Sequence, residues 1–213
     1  MKELLIIGAR GFGREIYNSA CESKGYGTEF IIKGYLDDNS NALDGYSGYP
    51  NIIGSVENYI PETDDVFICA LGSVVHKKKY TSIILERGGR FINLIHREAS
   101  FSKNVSFGIG NILCKGCLIS CDTSIGDFNT FNDFVSIGHD SSIGNYNSFM
   151  TATRISGNTL IGDNNYFGVN SCVIEKIKIG NNTTVAAGSA LMRRTKDGNT
   201  YIGVPAVAWV IKK

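Results

Sequence analysis

The sequence predicts an α/β plus all-β chain, with a small Rossmann-like α/β domain over residues 1–93 followed by a parallel β-helix over residues 94–213. Three observations predict it. Strand-like and helix-like runs alternate before residue 94, a six-residue periodicity replaces them afterwards, and a glycine-rich turn joins the first strand to the first helix.

In the first domain, "ELLIIGA" is a short apolar run closed by glycine, and "REIYNSACESKG" carries helical spacing from Arg14 to a terminal Gly25. "EFIIKGYLDDN" returns as a strand, completing a βαβ beginning. "DVFICALGS" reads as another buried strand, "HKKKYTSIILERGG" as a helix from His76 ended by glycines, and "RFINLI" as a last strand. A small parallel sheet with flanking helices accommodates these elements.

After residue 94, every sixth position from Ile95 through Phe101, Phe131 and Ile137 to Leu191 is bulky and apolar, seventeen times in succession. Granting each position the 43% hydrophobic share of the chain and six possible registers, such a run arises by chance on the order of a few times in a million. The next residue is small or glycine in many copies, as at Gly108, Gly126, Gly144, Gly162 and Gly180. The position four along is small or polar, as at Thr123, Ser141, Thr153, Thr159, Ser171, Thr183 and Ser189. Bulky residues can fill the axis of a prism while small ones let the backbone turn its corners. Three hexads make one triangular coil, which buries its apolar face by stacking on its neighbours.

Composition excludes several function classes. A formal charge of +1 lacks the basic footprint that nucleic-acid binding requires. The apolar runs fall short of the roughly 20 residues that cross a bilayer, and Met1-Lys2-Glu3 does not open a signal peptide, so no membrane partner and a cytoplasmic location are expected. Cys114, Cys117 and Cys121 are spaced C-x2-C-x3-C, but the partners for a four-ligand zinc site are scattered. No metal is expected, and the six cysteines read as buried reduced thiols.

"GARGFG", Gly8 to Gly13, follows a strand and opens a helix, where glycines let backbone amides approach a phosphate. Its order is G-x-x-G-x-G, and roughly 90 residues are too few for a two-lobed dinucleotide fold. A mononucleotide or the diphosphate of a nucleotide sugar fits better, beside the plainer reading of a tight turn. Gly8, Arg10, Gly11 and Phe12 of this loop are candidate substrate residues. Asp37 and Asp38 end the second strand, where a carboxylate can take a ribose or base edge or simply solvate a turn. Gly72 and Ser73 in "ALGS" end a third strand on the same expected edge.

"IIGARGFGREI", "GYLDD", "LIHREA", the hexads around "IGHD", and "GVPA" near the end together resemble the bacterial sugar acetyltransferases of the sialic acid O-acetyltransferase and UDP-4-amino-sugar N-acetyltransferase type. The resemblance covers essentially the whole chain. It implies a left-handed parallel β-helix, a homotrimer, a nucleotide sugar held by the N-terminal domain, and acetyl-CoA as co-substrate in the cleft between subunits. It places the catalytic histidine at His139, followed by its acid Asp140. It also implies that the Gly157 amide meets the acetyl carbonyl, that Val169 and Ala187 contact the pantetheine arm, and that Ser148 lies near the acetyl group.

Chemistry supports the pair independently. An amine or hydroxyl attacking a thioester must lose a proton, and imidazole titrates close to working pH. Asp140 could fix the tautomer and stabilise the imidazolium, and one amide aimed at the oxyanion would complete a minimal set. The expected reaction is acetyl transfer to the amine of a nucleotide-linked amino sugar, with O-acetylation of a sialic acid or related sugar as the alternative and a non-catalytic sugar-binding solenoid as a second. A solenoid carbonic anhydrase is excluded because its zinc needs three histidine ligands. Phe12 and Ser148 stand where relatives usually carry histidine. Lys178, Arg193, Arg194 and Lys196 are cations available for CoA phosphates, or a solvated basic face.

Overall fold

The structure, a computed structural model, describes residues 1–209. The chain divides into two compact units, Met1–Arg97 and Glu98–Lys213. The first contains β1 (Lys2–Ile7), α1 (Gly11–Cys21), β2 (Phe30–Leu36), β3 (Ile52–Gly54), β4 (Asp65–Cys69), α2 (Val74–Glu86) and β5 (Arg90–Phe91). Its sheet is parallel throughout, in the order β3-β2-β1-β4-β5. Leu4 to Ile7 and Val66 to Cys69 are buried without alternation, as central strands covered on both faces require. Helix α1 begins at Gly11, three residues before its expected start at Arg14, and the short edge strand β3 carries too few apolar residues to be read from the sequence.

Gly13 sets how closely α1 packs on the sheet. A Cβ there would lie 1.9 Å from the Gly8 carbonyl oxygen, so any side chain would drive helix and strand apart. At the opposite, amino-terminal edge of the sheet, Lys33 Nζ lies 2.8 Å from the buried Asp65, 2.7 Å from Glu62 and 2.9 Å from Glu3. Asp65 also accepts from the Tyr59 hydroxyl at 2.7 Å and the Glu62 N–H at 2.8 Å. Burial alone would raise the Asp65 carboxyl, but Lys33 and these donors outweigh it and hold it below the usual carboxylate range.

The second unit is a parallel β-helix. Each coil has three two-residue strands separated by four-residue corners, and each strand pairs in parallel with the strand eighteen residues on, as in Ile119, Ile137, Ile155, Val173 and Leu191. One face is a six-stranded sheet from Ser100–Phe101 to Ala190–Leu191, and the second is a five-stranded sheet from Ser106–Phe107 to Lys178–Ile179. Within this unit the third runs from Ile112–Leu113 through Ser148–Phe149 to Thr184–Val185 and ends in an antiparallel pair, Thr200–Gly203 with Ala206–Ala208. Inside it, Phe131, Phe149 and Phe167 stack nearly parallel at 4.8 and 4.7 Å.

The small and polar position four along lies inside the corners. Asn111, Asn129, Asn147 and Asn165 form a fully buried ladder in which each side-chain oxygen accepts the N–H of the residue eighteen further on, at 2.8–2.9 Å for the three Asn links and 2.7 Å for Thr183. Every sixth residue from Asn104 to Gly188 adopts a left-handed conformation, with φ between 54 and 68°. Cys69, Cys114 and Cys117 are buried as expected, but Cys21, Cys121 and Cys172 are only half-buried. Cys172 occupies the outward position of its strand and Cys121 stands on a corner.

Two outcomes test this packing. Asn147→Ala leaves the Asn165 N–H without its buried acceptor and should cost about 3 kcal/mol in urea unfolding, whereas Ser142→Ala on the exposed face should change stability by less than about 0.5 kcal/mol. Lys33→Met should cost about 3 kcal/mol at neutral pH by stranding Asp65. Because the Asp65 folded pKa lies below its unfolded value of about 3.9, the wild type holds this contribution above that pH and loses it as pH falls through the folded pKa. The difference between wild type and variant should therefore shrink on acidification.

Candidate active site

At the carboxyl ends of β1, β2 and β4 lies a crevice of about 620 Å³. Gly8, Arg10, Phe12, Asp37, Asp38, Gly72 and Ser73 all line it; Gly11, exposed in the first turn of α1, does not. Gly8 holds the turn at φ 97°, with Ala70 O only 3.0 Å from where a Cβ would stand. Arg10 precedes α1 without capping it by a side chain, so the amides of the first turn remain for a ligand.

Asp37 proves to be a brace. Its carboxylate accepts the Ala9 N–H at 2.8 Å and the Asn39 N–H at 2.9 Å, tying the glycine loop to the end of β2. Asp38 is exposed and accepts from the Tyr80 hydroxyl, a bond that, with burial, pushes the Tyr80 phenol up to about 12. Ser73 caps α2 by accepting from the His76 N–H. Tyr80 and Val56 also line the crevice, and the sequence reading misses both. Tyr80 is legible in part, since Ser73, His76 and Tyr80 recur at helical spacing on one face of α2. His96, the third histidine, is buried, with Nε2 3.3 Å from Glu22.

His139 and Asp140 occupy a corner between Ser136–Ile137 and Ser142–Ile143. Asp140 takes the left-handed turn position, with φ 55°, and this brings adjacent side chains together: His139 Nδ1 lies 2.6 Å from Asp140 Oδ2. Both side chains are more than half exposed. The bond places Nδ1 on the carboxylate and leaves Nε2 as the basic nitrogen.

Gly157 follows His139 by eighteen residues and stands directly above it in the coil register, where the next residue, Asn158, donates its N–H to the His139 carbonyl at 2.7 Å. The imidazole covers the glycine: a Cβ on Gly157 would be 2.9–3.1 Å from Nε2, Cε1 and Cδ2 of His139. No acceptor for the Gly157 N–H lies among the described residues. A base and an unpaired amide thus share one corner. Val169 and Ala187 are exposed one coil apart on a different corner, after the strands Tyr166–Phe167 and Thr184–Val185. Ser148 is 4% exposed on the third face, in a strand stacked with Tyr166–Phe167, and its N–H donates to Asn165 O at 2.8 Å. Lys178, Arg193, Arg194 and Lys196 are all exposed.

Comparison with known proteins follows this division. Residues 3–84 match the PglD N-terminal domain family. Among curated proteins none matches in sequence. The acetyltransferase domain of PglB from Neisseria gonorrhoeae shares the fold, at 24% identity and TM-score 0.89 over 98% of this chain and 100% of that one. PerB from Caulobacter crescentus, solved with CoA and GDP-perosamine, is 26% identical with TM-score 0.86 over 99% and 98% of the two chains. A histidine-to-asparagine variant of perosamine N-acetyltransferase from the same organism, also with CoA and GDP-perosamine, is 25% identical with TM-score 0.87 over the same shares. The resemblance to hexapeptide-repeat sugar acetyltransferases read from the sequence is borne out.

Gly157→Val should push the imidazole off its seat, so that in a crystal structure the His139 Nδ1 to Asp140 Oδ2 contact opens beyond hydrogen-bond distance. A ring left in place would show that the glycine does not seat it.

Proposed function

We propose that the protein transfers the acetyl group of acetyl-CoA to the amine of a nucleotide-linked amino sugar, with His139 as general base. The observation that carries this reading is the His139–Asp140 pair beside the Gly157 amide, on a chain similar throughout its length to a protein solved with CoA and GDP-perosamine.

The amine attacks the thioester carbonyl, the C–N bond forms, and its proton passes to His139 Nε2. Asp140, bonded to Nδ1, stabilises the imidazolium. The Gly157 N–H, beside the ring, is the donor for the developing oxyanion. As the C–S bond breaks, the proton on Nε2 returns to the departing CoA sulfur. No metal enters these steps.

The crevice takes the nucleotide, with its diphosphate at the amides opening α1 and its polar edge on Asp38 and Tyr80. We place the CoA between two chains, because within one chain His139 and the Val169 and Ala187 pair stand on different corners of the coil. A homotrimer meets this need. Arg193, which stands three coils beyond His139 on the same corner, supplies a cation for the CoA phosphates. Among the described residues no helix is long and apolar enough to cross a membrane, and all six cysteines are free, as a reducing cytoplasm would keep them.

The purified protein should release CoA thiol from acetyl-CoA in the presence of nucleotide-linked amino sugars, and His139→Ala should lower the rate by about 10²–10⁴-fold while acetyl-CoA binding by calorimetry persists. Release with sialic acid alone would favour O-acetylation. A stable monomer in light scattering would remove the inter-chain donor site.

A further inference from the structure

We infer that Arg87, which lies outside the crevice, is a positioning residue for nucleotide binding: its guanidinium fastens the turn that carries Val56 to the end of α2, and so sets the spacing between two walls of the site. The inference rests on the reading of the crevice as a nucleotide site. Val56 is 1% exposed and lines the crevice from the segment between β3 and β4, while Ser73, His76 and Tyr80 line it from α2 and its cap. In sequence these two walls are separated by β4, so a cross-link must hold them in step.

Arg87 makes that link through three carbonyls. Nη1 donates to Val56 O at 3.2 Å and Tyr59 O at 2.8 Å, and Nη2 donates to Glu57 O at 2.7 Å. The Asn58 and Tyr59 N–H groups both donate to the Ser55 carbonyl, at 3.3 and 3.1 Å, so residues 55–59 close a single helix-like turn. Such a turn leaves its last carbonyls needing donors from elsewhere. A planar guanidinium, with its donors in a fixed fork, meets all three; an ammonium is a single point charge and does not span them. The fork is itself placed by the helix end. Arg87 is the C-cap of α2, its N–H donates to Ile83 O at 3.3 Å, and Gly88 follows in the left-handed region with its N–H on Leu85 O at 2.9 Å.

The other ties on this turn act at its ends or act weakly. Gly54 O accepts the Asp37 N–H at 3.0 Å, and the Tyr59 hydroxyl donates to Asp65 at 2.7 Å. Lys79 of α2 pairs with the Glu57 carboxylate, but both side chains are about half exposed, and a pair of that kind contributes little. Arg87 therefore carries the fastening of the middle of the turn, where Val56 sits. A wall already held in place costs nothing to order when the ligand arrives, whereas a loose one subtracts its ordering from the affinity. The diphosphate is assigned to the amides opening α1, so the nucleoside is the part of the ligand that meets this wall.

The test is calorimetry with UDP, GDP, CDP and dTDP, and with acetyl-CoA as control, on wild type, Arg87→Ala, Arg87→Lys, Val56→Ala and the Arg87→Ala/Val56→Ala double variant. In Arg87→Ala the Kd for the tightest of these diphosphates should rise by about tenfold, while that for acetyl-CoA stays unchanged. Arg87→Lys keeps the charge and reaches one carbonyl at a time, so its Kd should rise by about threefold; if the alanine variant does not fold, this one carries the comparison. Because Arg87 acts through Val56, removing it should cost about threefold or less in the Val56→Ala background. Hydrogen exchange should show the Asn58 and Tyr59 amides losing protection in Arg87→Ala, with Ile6 and Ile7 of β1 unchanged. An unchanged diphosphate Kd in Arg87→Ala, or an equal loss toward acetyl-CoA, would overturn the inference. Binding of none of the diphosphates by wild type would remove the crevice reading and the inference with it. Binding that depends on Arg87 in a protein that releases no thiol would refute the proposed reaction alone.

Discussion

The eighteen-residue register is the constraint on which the second unit depends. Parallel strands of two residues have little pairing of their own, and they hold because each residue finds its counterpart in the next coil within one spacing of the sheet. The register stacks Phe131, Phe149 and Phe167 ring on ring and lets each buried Asn accept the amide of the next. Insertion of a single residue would misalign apolar stack and polar ladder together, so both enforce the same repeat.

The register also builds the site. Asp122, Asp140 and Asn158 fall on one left-handed column, and Cys121, His139 and Gly157 on the next, so stacking sets the Gly157 amide beside the His139–Asp140 pair. The left-handed turn lets neighbouring side chains in the sequence meet, which a strand would forbid by pointing them to opposite faces. Left-handed backbone costs about 1 kcal/mol at a residue other than glycine, and Asp and Asn tolerate it best. The column that carries Asp140 is accordingly made of Asn104, Asp122, Asp140 and Asn158 until Lys176.

Much of this is legible in the chain. Seventeen apolar residues at period six identify the coil, and "GARGFG" between a strand and a helix locates the crevice. What escapes the reading has physical causes. Asp37 lines the crevice, but its acceptor role toward the Ala9 N–H escapes the reading because it depends on a loop returning across the sheet, a contact 28 residues apart in sequence. Left-handed corners at Phe128, Phe134, Tyr146 and Ala152 escape it because these residues carry no signal for that conformation; stacking imposes it on them.

In the reaction proposed above, one chain's His139 takes a proton from an amine whose acyl donor rests on another chain's Val169 and Ala187. The measurement that addresses it most directly is a crystal structure of the protein with an unreactive acetyl-CoA analogue and a nucleotide-linked amino sugar. The account predicts the sugar amine within about 3 Å of His139 Nε2, the acyl oxygen on the Gly157 N–H, and the pantetheine arm against the neighbouring chain. An amine bound away from His139, or a donor held entirely by the corners of a single chain, would contradict it.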